Sequence, residues 1–411
     1  MSNKKQKHQK LMSNNIRYIL IKPIIIKIFL LVLLQWSCTN HDAESIDIRN
    51  VERIAIDSKN KNLKVLILDS LVDENSTILI PLETNDLSIF GASYRLNVVD
   101  SGFLVIDKGL NKILQFDFDG TYHKTMGGYG KGPEEYLDII DSHYNPYNKT
   151  VDIYDKSLRL IQFDLLTGKI IKYKKRFSKD FNIVFFYPTG PDSYALYNHF
   201  IHDGGRLFRF GYMDHDRIVT NRLSFKDDKI KITGSKDMFY TYKDTTRFFE
   251  RFIPLIYNVI NGDLSARYYL DFNMDKQDSV VVGDPKSYTD LKYTDPDMAW
   301  LDRVQETDRL LFIDFSVSQD RARRYCIFDK AMGKSLGASY DTYYFNGIKV
   351  YIQEVIANKL IGTISPVDLI SMQKKTGLKH NNELSVFERR LLKLSIKETD
   401  NLIIISMNVK Q

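Results

Sequence analysis

Five of the eight histidines fall between residues 123 and 215: His123, His143, His199, His202 and His215. Neutral imidazoles are good transition-metal ligands, and His199-Phe-Ile-His202 has a ligand-like gap. Two features argue against a metal. No carboxylate-rich stretch accompanies the histidines, and residues three apart on a strand point to opposite faces. The expectation is therefore no metal and no other cofactor, with His199 and His202 as the weak alternative. Gly127-Gly128-Tyr-Gly130-Lys-Gly132-Pro133-Glu-Glu135-Tyr136 has the glycine content of a phosphate cradle. It lacks the Gly-Lys-Ser/Thr ending and a following helix, so it reads as a structural connection. There the glycines permit positive φ and Pro133 stiffens the exit. Cys326, in the strand-like run Arg324-Tyr-Cys-Ile-Phe328, reads as a small buried hydrophobe. Asp271-Phe-Asn-Met-Asp275 and Asp295-Pro-Asp297 read as turn acids rather than calcium ligands. Arg321-Ala-Arg-Arg324, beside Asp320, reads as a solvated strand end. No Gly-x-Ser-x-Gly elbow, zinc-protease motif or kinase set is present. No catalytic residue is assigned.

The elements that position these residues announce themselves by an echo. Leu104-Val-Ile-Asp-Lys-Gly-Leu-Asn-Lys-Ile-Leu-Gln-Phe-Asp117 returns as Val151-Asp-Ile-Tyr-Asp-Lys-Ser-Leu-Arg-Leu-Ile-Gln-Phe-Asp164, with Asp107 and Asp155 48 residues apart. A period of that length, made of short strands and tight turns, is the mark of a β-propeller blade. The turns fall at Asp119-Gly120 and Thr167-Gly168. Weaker copies follow at Tyr194–Tyr197 with Leu207–Gly211, and at Arg309–Phe315 with Arg324–Asp329. Phe345-Asn-Gly-Ile348 carries a hairpin signal. The fold class is all-β, a propeller of six blades with seven possible, and a small helical elaboration over about 365–397. There Ser365-Pro366 opens one helix, and Leu384, Phe387, Leu391 and Leu394 share one helical face. Asn401–Ser406 is the final strand, expected to close the ring.

The ends set the location. Residues 1–37 hold seven Lys or Arg and no Asp or Glu, with an apolar run at Ile28–Leu34 before Ser37-Cys38. This reads as a secretory signal, its apolar core being short for a bilayer span, with a retained single-span anchor as the alternative. The chain has 58 basic and 52 acidic residues, a net +6. Without the signal the basic count is 51 and the net charge −1, so nothing points to nucleic acid. Residues 38–60 read as a polar tether and 61–411 as the propeller domain. Only Cys38 and Cys326 are present, so no intrachain disulfide is possible where Cys38 is otherwise engaged.

Two resemblances refine this. Ser37-Cys38 resembles the lipobox of bacterial lipoproteins, although Gln35 and Trp36 replace the usual Leu and small residue. Four further pieces resemble the six-bladed β-propeller lipoproteins of gut Bacteroidetes. They are Ile80-Pro-Leu-Glu-Thr84, Phe103–Asp107 with Ile113–Phe116 and Gly120, Gly127–Tyr136, and Asp400-Asn401 before the last strand. Leu402 stands where that family has Pro. The resemblance implies a lipid-anchored envelope protein, outer membrane in placement, that binds an unidentified ligand or envelope partner without catalysis. The alternative is a carbohydrate-active lyase or hydrolase with an axial metal or histidine site.

The signal leads to one expected outcome. Cys38→Ala should leave the precursor uncut or release the protein from the membrane fraction, because several acyl chains give firm anchoring. Unchanged processing and membrane retention of Cys38→Ala would overturn the lipid anchor.

Overall fold

The computed structural model describes residues 51–58, 65–174, 181–203, 206–215, 217–225, 237–274 and 298–411, without the side chains of 173–174, 181–184, 198–203, 206–207, 224–225 and 381. The signal and Cys38 lie outside the described residues, as do Asp275 and Asp295–Asp297.

Six antiparallel sheets form the blades of a β-propeller. Blade 1 runs through Tyr94–Val99, Gly102–Asp107, Lys112–Phe116 and Tyr122–Thr125. Blade 2 runs through Ile139–Asn145, Thr150–Asp155, Leu160–Asp164 and Ile170–Lys174. Blade 3 is Phe181–Pro188, Ser193–Asp203, Arg206–Asp214 and Arg217–Phe225. Blade 4 is Phe239–Tyr242, Thr245–Phe249, Leu255–Ile260 and Asp263–Asp271, with Glu52–Ala55 added in parallel at its outer edge. Blade 5 is Ala299–Glu306, Leu310–Val317, Arg323–Asp329 and Lys334–Ser339. In blade 6, Ile348–Ile356, Lys359–Ile364 and Ile403–Val409 are followed by Val72–Pro81 from the other end of the chain. Tyr343–Phe345 and Leu66–Ile67 extend that sheet beyond Ile348–Ile356. The count is therefore six, not seven.

The strands Gly102–Asp107, Thr150–Asp155 and Leu310–Val317 are buried at every position. Alternation has not vanished; it serves two neighbours. Phe103 and Val105 pack with Ile361 and Ile404 of blade 6, whereas Leu104 and Ile106 pack with Val151 and Ile153 of blade 2. The core thus sits between blades, and each strand must be apolar on both faces. Tyr154 and Leu160 of blade 2 meet Phe186 and Leu196 of blade 3 in the same manner.

The 48-residue echo has a physical cause. Asp107 and Asp155 are fully buried at the end of the second strand of their blades. One Asp107 oxygen accepts from Gly109 N at 2.8 Å and Leu110 N at 3.0 Å, closing the turn. The other accepts from Gly91 N, ahead of the blade's first strand. Asp155 repeats the device, accepting from Ser157 N and Arg159 N with one oxygen and from Leu137 N with the other. A buried carboxylate bonded to this many N–H donors is costly to replace.

Two differences from the expected boundaries stand out. The tether expected over 38–60 ends before its limit, because Ile54 and Ile56 are buried in the core shared by blades 3, 4 and 5. The apolar stripe Leu384, Phe387, Leu391 and Leu394 is not one helix. Helix α1 covers Pro366–Thr376, and helix α2 covers only Val386–Leu391. Ser385 fixes the start of α2 by a reciprocal cap with Glu388, so Leu384 falls outside it, and Leu394 lies past its end. Phe387 packs edge-on against Phe345 at 5.1 Å, which places α2 over blade 6.

Ring closure depends on Asn401 as well as on the last strand. Its side-chain amide donates to the carbonyls of Glu83 (2.8 Å) and Ser88 (3.1 Å), and its backbone N–H donates to Thr84 Oγ1 at 2.7 Å. Asn401→Ala orphans two acceptors at the seam and should cost about 1–3 kcal/mol. Deleting 400–411 removes the strand between Lys359–Ile364 and Val72–Pro81 and should abolish cooperative unfolding. Thermal denaturation checks both; an unchanged melting curve for either would contradict closure through this seam.

Candidate functional site: the axial cavity

The innermost strands of all six blades contribute to one cavity of about 480 Å3. Its wall takes Arg95 and Asn97 from blade 1, His143 and Tyr147 from blade 2, and Tyr187 from blade 3. Asp237 and Phe239 at blade 4, Arg303 and Gln305 from blade 5, and Glu354 from blade 6 complete it. A second cavity of about 250 Å3 lies towards the starts of the strands of blades 1 and 6, walled by Tyr94, Asp314, Arg323, Tyr325 and Tyr351. Arg95, Leu96, Asp237, Arg303 and Gln353 border both cavities and so form the waist between them.

A buried charge cluster builds one side of the waist. Asp141 is fully buried; its Oδ1 lies 3.3 Å from Arg95 Nη1 and 3.4 Å from Lys108 Nζ. Its Oδ2 accepts from Phe186 N at 3.1 Å and lies 3.2 Å from His143 Nε2. Burial works against the Asp141 carboxylate, but the cations Lys108 and Arg95 and a hydrogen bond with His143 hold its pKa well below the ordinary range. Burial, with Arg95 second, pushes His143 down to about 4, so this imidazole is neutral at neutral pH. Phe186 and Tyr187 flank the ring, each at 5.1 Å. Opposite, Tyr187 stacks on Phe239 at 5.8 Å, giving the cavity a flat aromatic wall. Arg303 donates to the carbonyls of Ile352 and Gln353, and Arg323 pairs with Asp314 at 2.9 Å.

The candidate residues read from sequence scatter. Only His143 reaches the cavity among the histidines whose side chains are described. His123 is exposed, 3.6 Å from Asp117, and His215 is exposed beside Asp214. The backbone of His199 and His202 lies in the second strand of blade 3, and their side chains are outside the described residues. Pairing in that strand shifts between Tyr197 and Ile201, so simple alternation does not apply across the two histidines. Among the described residues no three His, Cys, Asp or Glu side chains gather as a metal site. Burial pushes the Cys326 thiol up to about 12, which leaves no thiolate at neutral pH.

Gly127–Tyr136 joins the outer strand of blade 1 to the inner strand of blade 2. Gly128-Tyr129 pairs in parallel with Glu135-Tyr136. Of its glycines only Gly127 has positive φ, at 59°. A Cβ at Gly130 would stand 2.1 Å from Glu135 Oε2 and displace that side chain, whose Oε2 accepts from Gly132 N. Pro133 follows these glycines. The Tyr136 hydroxyl donates to Asn111 O at 2.9 Å, holding the connection against blade 1. The basic run is a solvated strand end only in part, since Arg321 and Arg323 are exposed and Arg324 is not. Arg324 is buried, pairing with Asp320 at 2.8 Å and lying over the Tyr340 ring, and Arg323 lines the second cavity. Strand alternation through Arg323-Arg324-Tyr325 was the signal that separates those two side chains.

Glu354 offers a measurable handle. Burial raises its carboxyl to about 7, against the opposing effects of Val98 N–H, Arg303, Asn97 and Arg95. A raised acid pKa contributes stability that is complete below the unfolded value near 4.5 and is lost as pH rises through about 7. Glu354→Gln should therefore be more stable than the parent at pH 8, by up to about 3 kcal/mol, and melt correspondingly higher, with the gap closing by pH 5. Equal melting temperatures at pH 8 would contradict this.

Comparison with known proteins adds the following. No curated protein matches the chain in sequence. A crystal structure of a candidate exported protein of Bacteroides fragilis superposes with a TM-score of 0.64 at 14% identity, covering 88% of this chain and 100% of that one. A member of the DUF4221 family from Bacteroides vulgatus gives a TM-score of 0.47 at 11% identity, covering 83% and 97%. At 14% identity the likeness to the Bacteroides fragilis protein concerns the fold alone. Residues 51–408, nearly all of the propeller, match the model of a domain of unknown function, DUF4934, and the chain belongs to that family.

Proposed function

We propose that this protein is an exported envelope module, lipid-anchored through Cys38 to the outer membrane, that binds a ligand or partner at its axial cavity without turning it over. The observation that carries this reading is the cavity itself: six strands far apart in sequence converge on about 480 Å3 with an aromatic wall and charged groups of both signs. Concave sites with a few convergent polar groups are where ligands bind. The basic leader and the Ser37-Cys38 junction support export and acylation. The Bacteroides fragilis protein of the same fold, described as a candidate exported protein, is consistent with this. Against the lyase or hydrolase alternative stands the engagement of His143. Asp141 and Arg95 both lie within hydrogen-bond distance of its Nε2, and its imidazole is boxed by two rings.

The test is a thermal-shift survey of lipid-free residues 39–411 against small polar compounds and short peptides, with Tyr187→Ala and Tyr147→Ala alongside. A ligand present at about 100 times its Kd adds about 2.7 kcal/mol to the stability of the folded state. At least one compound should raise the melting temperature of the parent, lose most of that effect in Tyr187→Ala, and be recovered chemically unchanged. Chemical conversion of the compound, or shifts indifferent to both substitutions, would overturn the reading.

A further inference from the structure

We infer that the narrow end of the axial cavity receives a small hydroxylated carboxylate, with the carboxylate on Arg303. The inference rests on the axial binding reading and names the ligand class for that same site. Arg303 differs from the two other arginines around it. Arg323 is paired with Asp314 at 2.9 Å, and Arg95 with Asp141 at 3.3 Å and Asp237 at 3.6 Å. Among the described residues, no carboxylate pairs with Arg303, whose guanidinium instead donates to the carbonyls of Ile352 and Gln353 on blade 6. A guanidinium carries five N–H donors in a fixed plane. Two carbonyls orient that plane at the waist bordering both cavities, and no carboxylate among the described residues forms an ion pair with it.

The charges of the narrow end agree. Arg95, Arg303 and Arg323 face Asp237 and Asp314, an excess of one positive charge. A single oriented fork with one spare charge matches a carboxylate, which it engages in a planar bidentate pair. A phosphate usually draws several cations or a ring of backbone N–H groups, and the narrow end has one uncommitted charge. The remaining wall suits a hydroxylated frame. Asp237, Asp314, Gln353 and Thr342 supply polar groups, while Tyr94, Tyr325 and Tyr351 supply ring faces; Tyr351 is 43% exposed. The volume of about 250 Å3 lies below the roughly 300 Å3 at which sites for drug-sized ligands begin, so the occupant is a single ring or smaller.

The probes are D-glucuronate and its neutral counterpart D-glucose, with inorganic phosphate as a third, titrated calorimetrically into lipid-free residues 39–411 at pH 7 and low salt. Glucuronate should bind, glucose and phosphate should bind at least about tenfold more weakly, and glucuronate affinity should fall with added sodium chloride. Arg303→Gln should weaken glucuronate by about tenfold or more, and Arg303→Lys by less, because it keeps the charge and loses the fork. If Arg303→Gln does not fold, the glucuronate–glucose ratio and the salt dependence of the parent decide. No glucuronate binding, equal binding of glucose, tighter binding of phosphate, or an unaltered Arg303→Gln overturns the assignment. If other compounds still give Tyr187-dependent thermal shifts, only the ligand class has failed. If none does, the axial binding reading has failed with it.

Discussion

Closure of the ring is the constraint on which everything else depends. Each blade buries its two faces against two neighbours, so a gap anywhere would expose an apolar sheet face and an unpaired edge. The chain meets this by pairing its own ends. Ile403–Val409 runs antiparallel to Val72–Pro81, with Ile404 opposite Ile80 and Val409 opposite Val72. Asn401 then ties the entry of the last strand to residues 83–88. With the ring shut, the six inner strands are held in fixed relation, and an axial cavity exists at all. The contacts at the seam span over 300 residues of sequence, and they are the slowest kind to form.

Within that frame, charge is distributed with some care along the axis. Asp141 is sunk in the wall and surrounded by Arg95, Lys108 and His143, a satisfied cluster that fixes Arg95 in place. Arg323 and Asp314 neutralise one another across blade 5, with the Tyr343 hydroxyl donating to Asp314 at 2.9 Å. Burial still raises the Asp314 pKa despite Arg323 beside it, so desolvation at the narrow end is substantial. Such groups pre-pay the cost of orientation; a ligand entering here would meet dipoles already aimed.

Much of the fold was legible because blade structure is local. Asp107 and Asp155 recur at one period since each closes its own hairpin and catches the strand before it, an arrangement confined to one blade. Asn346-Gly347 turns as the sequence suggested, with φ of 47° and 76°. The site was not legible, because no local pattern records which residue of a strand faces the axis. Arg95, His143, Tyr187, Asp237, Arg303 and Glu354 come from six blades, and nothing in their immediate neighbours marks them. Histidine counting found His143 in company with His123 and His215, which lie at the surface. The Arg321–Arg324 run misled in part: Arg321 and Arg323 are exposed as charge density suggested, but alternation turns Arg323 to the second cavity and buries Arg324 against Tyr340. The peripheral strand Glu52–Ala55 was lost in polar surroundings, its buried Ile54 and Ile56 too few to register.

That peripheral strand has a mechanical consequence. Glu52–Ala55 is only four residues long and lies at the outer edge of blade 4, while the strand that closes the ring starts at Val72. Tension applied to the chain ahead of residue 52 therefore reaches the edge strand before it reaches the seam. Peeling those residues away would break the Arg53–Asp271 ion pair and uncover Ile54 and Ile56, but it would leave the pairing of Val72–Pro81 with Ile403–Val409 in place. By its place in the chain, the four-residue edge strand stands between a pull from the N-terminal side and the seam.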